Sequence, residues 1–118
     1  VVNENGKGVY QGKIFVKDVA QKTNAYQLSK ALILNDKAEF DAKPELEIYA
    51  DDVKCSHGST SGSIDADAIH YLMTRGIDAK TAKQLLINGF LNDILDNITD
   101  TNLKFFVENT LEGQINGY

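Results

Sequence analysis

The chain has 118 residues, of which 42% are hydrophobic and 25% charged, and its formal net charge at pH 7 is -5. This length supports one ordinary domain or part of a larger protein, and the apolar content is too high for a disordered tail. Acidic residues outnumber basic residues by 17 to 12, which disfavours binding to nucleic acid or to an anionic membrane surface.

The sequence carries no targeting signal that we can identify. It has no run near the roughly 20 apolar residues of a membrane helix and no basic-then-apolar leader. Its single cysteine cannot form an internal disulfide, so nothing points to an oxidising compartment. We therefore expect a cytoplasmic protein without a membrane segment.

Short β-branched and aromatic stretches, separated by Gly, Asn and Asp, predict four strands in the first half. The predicted strands are Val9–Lys17, Ala25–Leu34, Leu46–Ala50 and Val53–Ser56. The apolar centres Phe15, Ile33 and Ile48 recur at similar intervals along the chain. This spacing is compatible with antiparallel hairpins and equally with parallel strands stacked as coils of a β-helix. About three strands cannot enclose a core, so this half needs the helices, further sequence or a partner.

Helical spacing begins near residue 64 and predicts three helices. We predict them from an Asp65 cap to Arg75, from an Asp78 cap to Asn97, and from Asp100 or Thr101 to Gly113. Gly76 is expected to end the first helix, and residues 114–118 to form a loose tail. Gly89, inside the second helix, is expected to permit the close approach of another backbone.

The second helix shows an i, i+3, i+4 pattern of apolar residues, which predicts one buried face. That face contains Ala82, Leu85, Leu86, Phe90, Ile94, Leu95 and Ile98. Charge also changes along the chain, because residues 1–63 hold 8 Lys against 9 acids and residues 64–118 hold 4 basic against 8 acidic residues. We therefore predict two domains, a β-rich one at 1–63 and a helical one at 64–118.

Cys55 and His57 are candidate metal ligands. Residues i and i+2 of a strand point to the same face, and thiolate and imidazole are ligands for zinc, copper and iron–sulfur clusters. Two ligands make half a tetrahedral site, so another subunit or a carboxylate such as Asp51 or Asp52 would have to complete it. The alternative is that Cys55 is a small buried hydrophobe and His57 caps a turn.

Residues 58–62, with the sequence GSTSG, suggest either an anion-binding loop or a flexible linker between the two halves. The segment lacks the lysine of a P-loop, and the linker is the favoured interpretation. The turn from Arg75 to Asp78 superficially matches a helix-turn-helix. A recognition helix should be basic, whereas this half is acidic, so a helix hairpin that docks on a protein is the better interpretation.

Three stretches together resemble the SufB/SufD family, scaffold components of an iron–sulfur cluster assembly machine. Residues 43–58, KPELEIYADDVKCSHG, carry the most specific part, and residues 65–77, DADAIHYLMTRGI, and 82–90, AKQLLINGF, resemble the helices that follow. The resemblance runs over about residues 5–98. The Cys-Ser-His-Gly at 55–58 is similar to the SufD type, whereas the SufB type tends to have Cys-Glu-His-Glu. His70 departs from the pattern, since Phe is common there.

The resemblance implies a mixed β and α fold. Residues 1–63 would be the last coils of a right-handed parallel β-helix, and residues 64–118 a C-terminal helical domain. It selects stacked coils over hairpins, a choice that the spacing of apolar residues left open. The chain would then be the C-terminal part of a longer protein.

The resemblance also implies a non-catalytic scaffold subunit that pairs with a SufB-type subunit and docks a SufC-type ABC ATPase through its helices. His57 matches a SufD-type position implicated in cluster assembly at the subunit interface, and Cys55 is a neighbouring family cysteine. Iron or an iron–sulfur cluster is then expected at that interface, with no cofactor held tightly by this chain alone.

Tyr71, Arg75 and Phe90 are the predicted contacts with the ATPase, because aromatic and arginine side chains often anchor interfaces. The alternative is that Tyr71 and Phe90 belong to the core. Exposed strand edges could also pair the isolated chain with a second copy. The competing functional hypothesis is a stand-alone metal-binding or hydrolytic enzyme that uses Cys55 and His57.

Overall fold

The computed structural model describes residues 1–115 and has four strands followed by three helices. The strands are β1 (Lys7–Val16), β2 (Asn24–Ile33), β3 (Glu39–Ile48) and β4 (Lys54–Ser63). The helices are α1 (Ala66–Thr74), α2 (Ala79–Leu95) and α3 (Thr101–Ile115). The chain forms two compact units, a strand unit from Val1 to Ser63 and a helical unit that begins at Ile64. The predicted mixture of strands and helices is therefore confirmed.

Each strand pairs in parallel with the strand after next. β1 pairs with β3 and β2 with β4, so the described residues contain two two-stranded sheets. In register, Lys7 lies beside Glu39 and Asn24 lies beside Lys54. Between the two strands of each sheet, the chain therefore passes through one strand of the other sheet. The antiparallel hairpin alternative is wrong for these four strands.

Two strands are longer than the sequence predicts. β3 begins at Glu39 rather than Leu46, and β4 runs to Ser63 rather than ending at Ser56. Apart from Phe40 and Thr60, the extra residues have low strand propensity, but each pairs in register with a neighbouring strand, and this ladder holds them extended. Both interpretations of residues 58–62, the anion loop and the flexible linker, are therefore wrong.

The outer face of the β1–β3 sheet is charged. Lys7 Nζ lies 2.8 Å from Asp41 Oδ2, and Lys13 Nζ lies 2.9 Å from Glu47 Oε2. The hydrogen bond from Lys13 lowers the pKa of Glu47, and the same bond raises the pKa of Lys13. Exposed ion pairs of this kind contribute little to the stability of the fold.

The interior of the strand unit is built from small residues and includes a polar pair. Val16, Ala31 and Ser29 are buried. Gln27 Nε2 in β2 donates a hydrogen bond of 2.6 Å to Tyr10 Oη in β1. Gly12 leaves the room for this pair, since a Cβ atom at Gly12 would collide with both Gln27 Nε2 and Tyr10 Oη.

Local capping signals set the starts of α1 and α2. Asp65 accepts hydrogen bonds from the backbone N–H groups of Asp67 and Ala68, and Asp78 accepts one from that of Thr81. Gly76 follows α1 with φ +87°, the left-handed conformation that glycine adopts most readily. The predicted caps and the predicted glycine turn are confirmed.

The predictions for the end of α3 and for Gly89 are wrong. α3 continues through Gly113 to Ile115, so neither the predicted end at Gly113 nor a loose tail at 114–115 is present. Residues 116–118 of the predicted tail lie outside the described residues. Nothing beyond its own helix lies within 4 Å of a Cβ built on Gly89, so no other backbone of the described residues approaches it.

The buried face of α2 also differs from the predicted one. Ala82, Ile87 and Leu95 are buried, whereas Leu85 and Ile94 are exposed. Apolar residues surround much of this helix, so periodicity alone did not identify Ile87, which is fully buried.

Within residues 1–115, no helix is both long and apolar enough to cross a membrane.

Candidate functional site

β4 carries both candidate metal ligands of the strand unit. Cys55 is half-buried and lies beside Ala25 of β2, and His57 is exposed and lies beside Gln27. Because side chains alternate along a strand, residues two apart project from the same face. β4 therefore presents a thiol and an imidazole next to one another.

No third ligand accompanies this pair. Residues 1–115 contain no group of three or more His, Cys, Asp or Glu side chains placed to hold a metal ion. Asp51 and Asp52, in the bend before β4, therefore do not complete a site with Cys55 and His57. The backbone N–H of Asp52 instead donates to Gln21 Oε1, at 2.9 Å, and ties this bend to the segment before β2. The described residues offer half of a four-coordinate site.

Gln27, the register partner of His57 in β2, has one polar atom that forms no hydrogen bond within residues 1–115. Gln27 Oε1 is buried and has no hydrogen-bond partner among the described residues, while Nε2 of the same amide is held by Tyr10. Gln27 and Tyr10 belong to no motif in the sequence. Their pairing joins residues 17 positions apart in different strands, which no local pattern indicates.

β4 is the end strand of its two-stranded sheet, and the outer face of that sheet carries two exposed apolar side chains beside the exposed Lys30. Tyr26 and Leu28 of β2 are 63% and 45% exposed. A Cβ on Gly58, which lies beside Leu28, would come within 3.0 Å of Tyr26 Oη. The other residues of β4 on this face are small, namely Ser56, Thr60 and Gly62. The exposed side chains of Tyr26 and Leu28, beside small residues of β4, make this surface suited to contact with another polypeptide.

The hairpin of α1 and α2 carries the predicted partner contacts. Tyr71 is 57% exposed, and the guanidinium of Arg75 lies over its ring with Cζ 5.2 Å from the ring centroid. Phe90 is only half-buried, so it belongs neither wholly to the core nor wholly to the surface. Three further apolar side chains of these two helices are exposed, namely Met73, Leu85 and Ile94. The helical periodicity had placed Leu85 and Ile94 on the buried face.

A cleft of about 330 Å³ lies between α2 and α3 and was not predicted. Its lining includes Leu91, Leu95 and Leu111, with the carboxylates of Glu108 and Glu112. The cleft combines an apolar wall with two negative charges. α3 also exposes Phe105 and Phe106, each by 66%.

Comparison with known proteins identifies the family. Residues 1–90 match the family described as SUF system FeS cluster assembly, SufBD core domain. The chain is 45% identical over 104 residues to an iron–sulfur cluster assembly SufBD family protein of Synechocystis. It is 43% identical over 104 residues to the iron–sulfur cluster assembly protein SufD of Escherichia coli and 32% identical over 115 residues to SufD of Bacillus subtilis.

These matches cover most of this chain but a small part of each relative. They span 88%, 88% and 98% of this chain and 23%, 25% and 26% of the three relatives. The chain therefore spans about a quarter of the length of these relatives. The matched residues include the strand unit, Cys55 and His57, and the hairpin with Tyr71, Arg75 and Phe90. By its sequence from residue 1 to residue 90, this chain belongs to the SufBD family of iron–sulfur cluster assembly proteins.

Proposed function

We propose that this chain is part of a SufD-like scaffold subunit that assists the assembly of iron–sulfur clusters and catalyses no reaction itself. Family membership and relatives that are named SufD support this role. The observation that carries the proposal is the exposed imidazole of His57 beside the thiol of Cys55, without a third ligand among the described residues. We expect this function in the cytoplasm, because the single cysteine requires no oxidising compartment.

The strand unit is proposed to be the last coils of a right-handed parallel β-helix. The parallel pairing of every strand with the strand after next, in both sheets, supports this arrangement. The rest of such a coil stack would come from a longer polypeptide.

Pairing with a SufB-type subunit is proposed to occur at β4. β4 has a free strand edge in the described residues, and the sheet beside it exposes Tyr26 and Leu28. A partner bound there would stand next to Cys55 and His57 and could add the missing ligands. Iron or a nascent cluster would be the cargo of this shared site, held by donors from both subunits.

The helical unit is proposed to dock a SufC-type ABC ATPase. Tyr71 and Arg75 form one exposed pair on α1, and Phe90 lies half-buried on α2. Exposed Met73 and Leu85 add apolar surface to the same two helices. An exposed aromatic–arginine pair has the composition of an interface hot spot.

The chain's two histidines allow a matched test of the cluster role. His57→Ala should abolish cluster formation by the complex reconstituted with SufB-type and SufC-type subunits, measured by visible absorbance of the cluster. His70→Ala, which removes an exposed imidazole from α1, should leave it unchanged. Cluster formation by the His57→Ala complex at the wild-type rate and yield would contradict the proposal.

The competing hypothesis, a stand-alone metal enzyme, makes a different prediction for the purified chain. It requires stoichiometric metal that is lost in His57→Ala. The scaffold proposal expects weak metal binding by the chain alone, because two donors do not hold a tetrahedral ion tightly.

A further inference from the structure

The buried oxygen of Gln27 is an unusual feature of the strand unit. Oε1 has no hydrogen-bond partner among the described residues, and the other end of the amide is fixed because Nε2 donates to Tyr10 Oη at 2.6 Å. Buried polar atoms in folded proteins are nearly always satisfied, so an orphan atom requires an explanation. An acceptor held at a fixed position fits a site that another group completes.

The β2–β4 pairing determines which side chain is nearest. His57 is the register partner of Gln27, and adjacent strands lie about 4.8 Å apart. In-register partners on parallel strands project from the same face, so the imidazole and the amide are neighbours. The register partner of Tyr10 in β3 is Ala42, whose methyl group offers no competing hydrogen-bond acceptor.

From this placement, we propose that Gln27 is a positioning residue for His57. Its Oε1 would accept a hydrogen bond from one imidazole N–H and leave the lone pair of the opposite ring nitrogen available to iron. Histidine ligands usually donate their second ring nitrogen to an oxygen acceptor in this way, which fixes the tautomer and the ring orientation. Tyr10 would hold the amide, and Gly12 would keep the space that the pair needs.

This inference rests on the proposed cluster role of His57, but its first test needs no metal. The tautomer of the His57 ring can be read from its ¹⁵N chemical shifts in the chain, at a pH where the imidazole is neutral. We expect one tautomer to dominate in the wild type. Gln27→Met removes the acceptor at similar volume and should reduce the ratio of the two tautomers about fivefold, as for loss of one ordinary hydrogen bond.

Gln11→Met is the matched control for this measurement. Gln11 is exposed in β1 and belongs to the opposite, charged face of its sheet, so its loss should leave the His57 tautomer ratio unchanged. Equal ratios in the wild type and in Gln27→Met would overturn the inference. If Gln27→Met does not fold, the wild-type tautomer ratio is itself the test. A His57 tautomer ratio equal to that of a free histidine side chain would also overturn the inference.

A second measurement separates this inference from the proposed function. Co²⁺ is titrated into the complex of the chain with a SufB-type subunit. Gln27→Met should weaken Co²⁺ binding about ten- to a hundredfold, the usual effect of losing the partner of a ligating histidine, and His57→Ala should abolish it. Unchanged binding in His57→Ala would refute the metal role of His57. If His57→Ala abolishes Co²⁺ binding but Gln27→Met binds Co²⁺ with unchanged affinity, only the role of Gln27 is refuted.

Discussion

Arg75 folds back over Tyr71, one turn earlier in α1. Its Cζ atom lies 5.2 Å from the ring centroid, and Nη2 donates a hydrogen bond of 3.1 Å to the phenol oxygen of Tyr71. The two side chains therefore hold each other in one orientation on the surface of the helix hairpin. A preformed pair loses less conformational entropy when a partner binds than two free side chains would.

Substitution of Tyr71 tests the docking role of this pair. We expect Tyr71→Ala to weaken binding of the SufC-type ATPase by about tenfold or more, as for an aromatic hot spot. Its melting temperature should change little, because Tyr71 is 57% exposed. Affinity can be measured by surface plasmon resonance.

Phe105→Ala provides the control for the Tyr71 experiment. Phe105 is an aromatic residue of α3 that is 66% exposed, and it lies outside the residues matched by the family. The ATPase should bind this variant as it binds the wild type. Loss of binding in Phe105→Ala with normal binding in Tyr71→Ala would move the docking surface to α3.

Gly12 and Gly62 should respond oppositely to the same substitution. Gly12→Ala forces a methyl group against the Tyr10–Gln27 pair and should destabilise the protein by about 1–3 kcal/mol. Nothing lies within 4 Å of a Cβ on Gly62, so Gly62→Ala should be neutral or stabilising by up to about 1 kcal/mol. Urea unfolding measures both free energies. Equal stability of the two variants would contradict the tight packing described around Gly12.

Gly89 and Gly76 form a second contrasting pair, in the helical unit. Gly89 lies inside α2 with open space around it, so Gly89→Ala should stabilise the protein by about 0.5–1 kcal/mol. Gly76 has φ +87°, a conformation that is strained for a residue with a Cβ atom, so Gly76→Ala should destabilise the protein by about 1–2 kcal/mol. Thermal unfolding distinguishes the two signs, and a loss of stability in Gly89→Ala would show that this position is not open.

The Asp78 cap should make part of the stability depend on pH. The hydrogen bond from the Thr81 hydroxyl, followed by that from the Thr81 backbone N–H, lowers the pKa of Asp78 below its ordinary value of 3.8. Since the folded-state pKa is the lower one, the ionised cap stabilises the protein fully above about pH 4. This stabilisation is lost as the pH falls through the folded-state pKa.

Two variants isolate the effect of this cap. Asp78→Ala should lower the melting temperature at pH 7 by about 5 °C, whereas Asp78→Ser retains a capping oxygen and should lower it less. Serine does not titrate, so the difference in melting temperature between the wild type and Asp78→Ser should change between pH 5 and about pH 2. A difference that stays constant over this range would contradict the role of the ionised carboxylate.

The starts of the helices could be predicted because their signals are local. Asp65 and Asp78 cap helices through backbone N–H groups two or three residues further along the chain, and Gly76 provides its own turn. Each of these contacts is contained in a few consecutive residues. The sequence pattern therefore includes everything that decides them.

The ends of the strands depend on residues far away and could not be predicted in this way. Glu39 is extended because it pairs with Lys7, and Ser63 because it pairs with Ile33. Neither position has the β-branched or aromatic side chain that marks a strand. The choice between hairpins and stacked coils came from the family resemblance and not from the spacing of apolar residues.

The candidate site was predictable only in part, for the same reason. Cys55 and His57 are two residues apart and share a strand, so their pattern was visible. Gln27 enters the site through its register pairing with His57, which is distant in sequence, and its unpartnered oxygen depends on a contact with Tyr10. Long-range register decides which groups surround the imidazole, and no local motif carries that information.

The uninterrupted register between β2 and β4 limits how genes for such a chain can vary in length. A shift of β4 by a single residue along β2 would carry Cys55 and His57 to the opposite side of the sheet and bring Ser56 and Gly58 into their positions. Insertions and deletions should therefore be tolerated only in the connections between strands. In β4 before Cys55, even the smallest frame-preserving indel would exchange the two candidate donor side chains for inert ones.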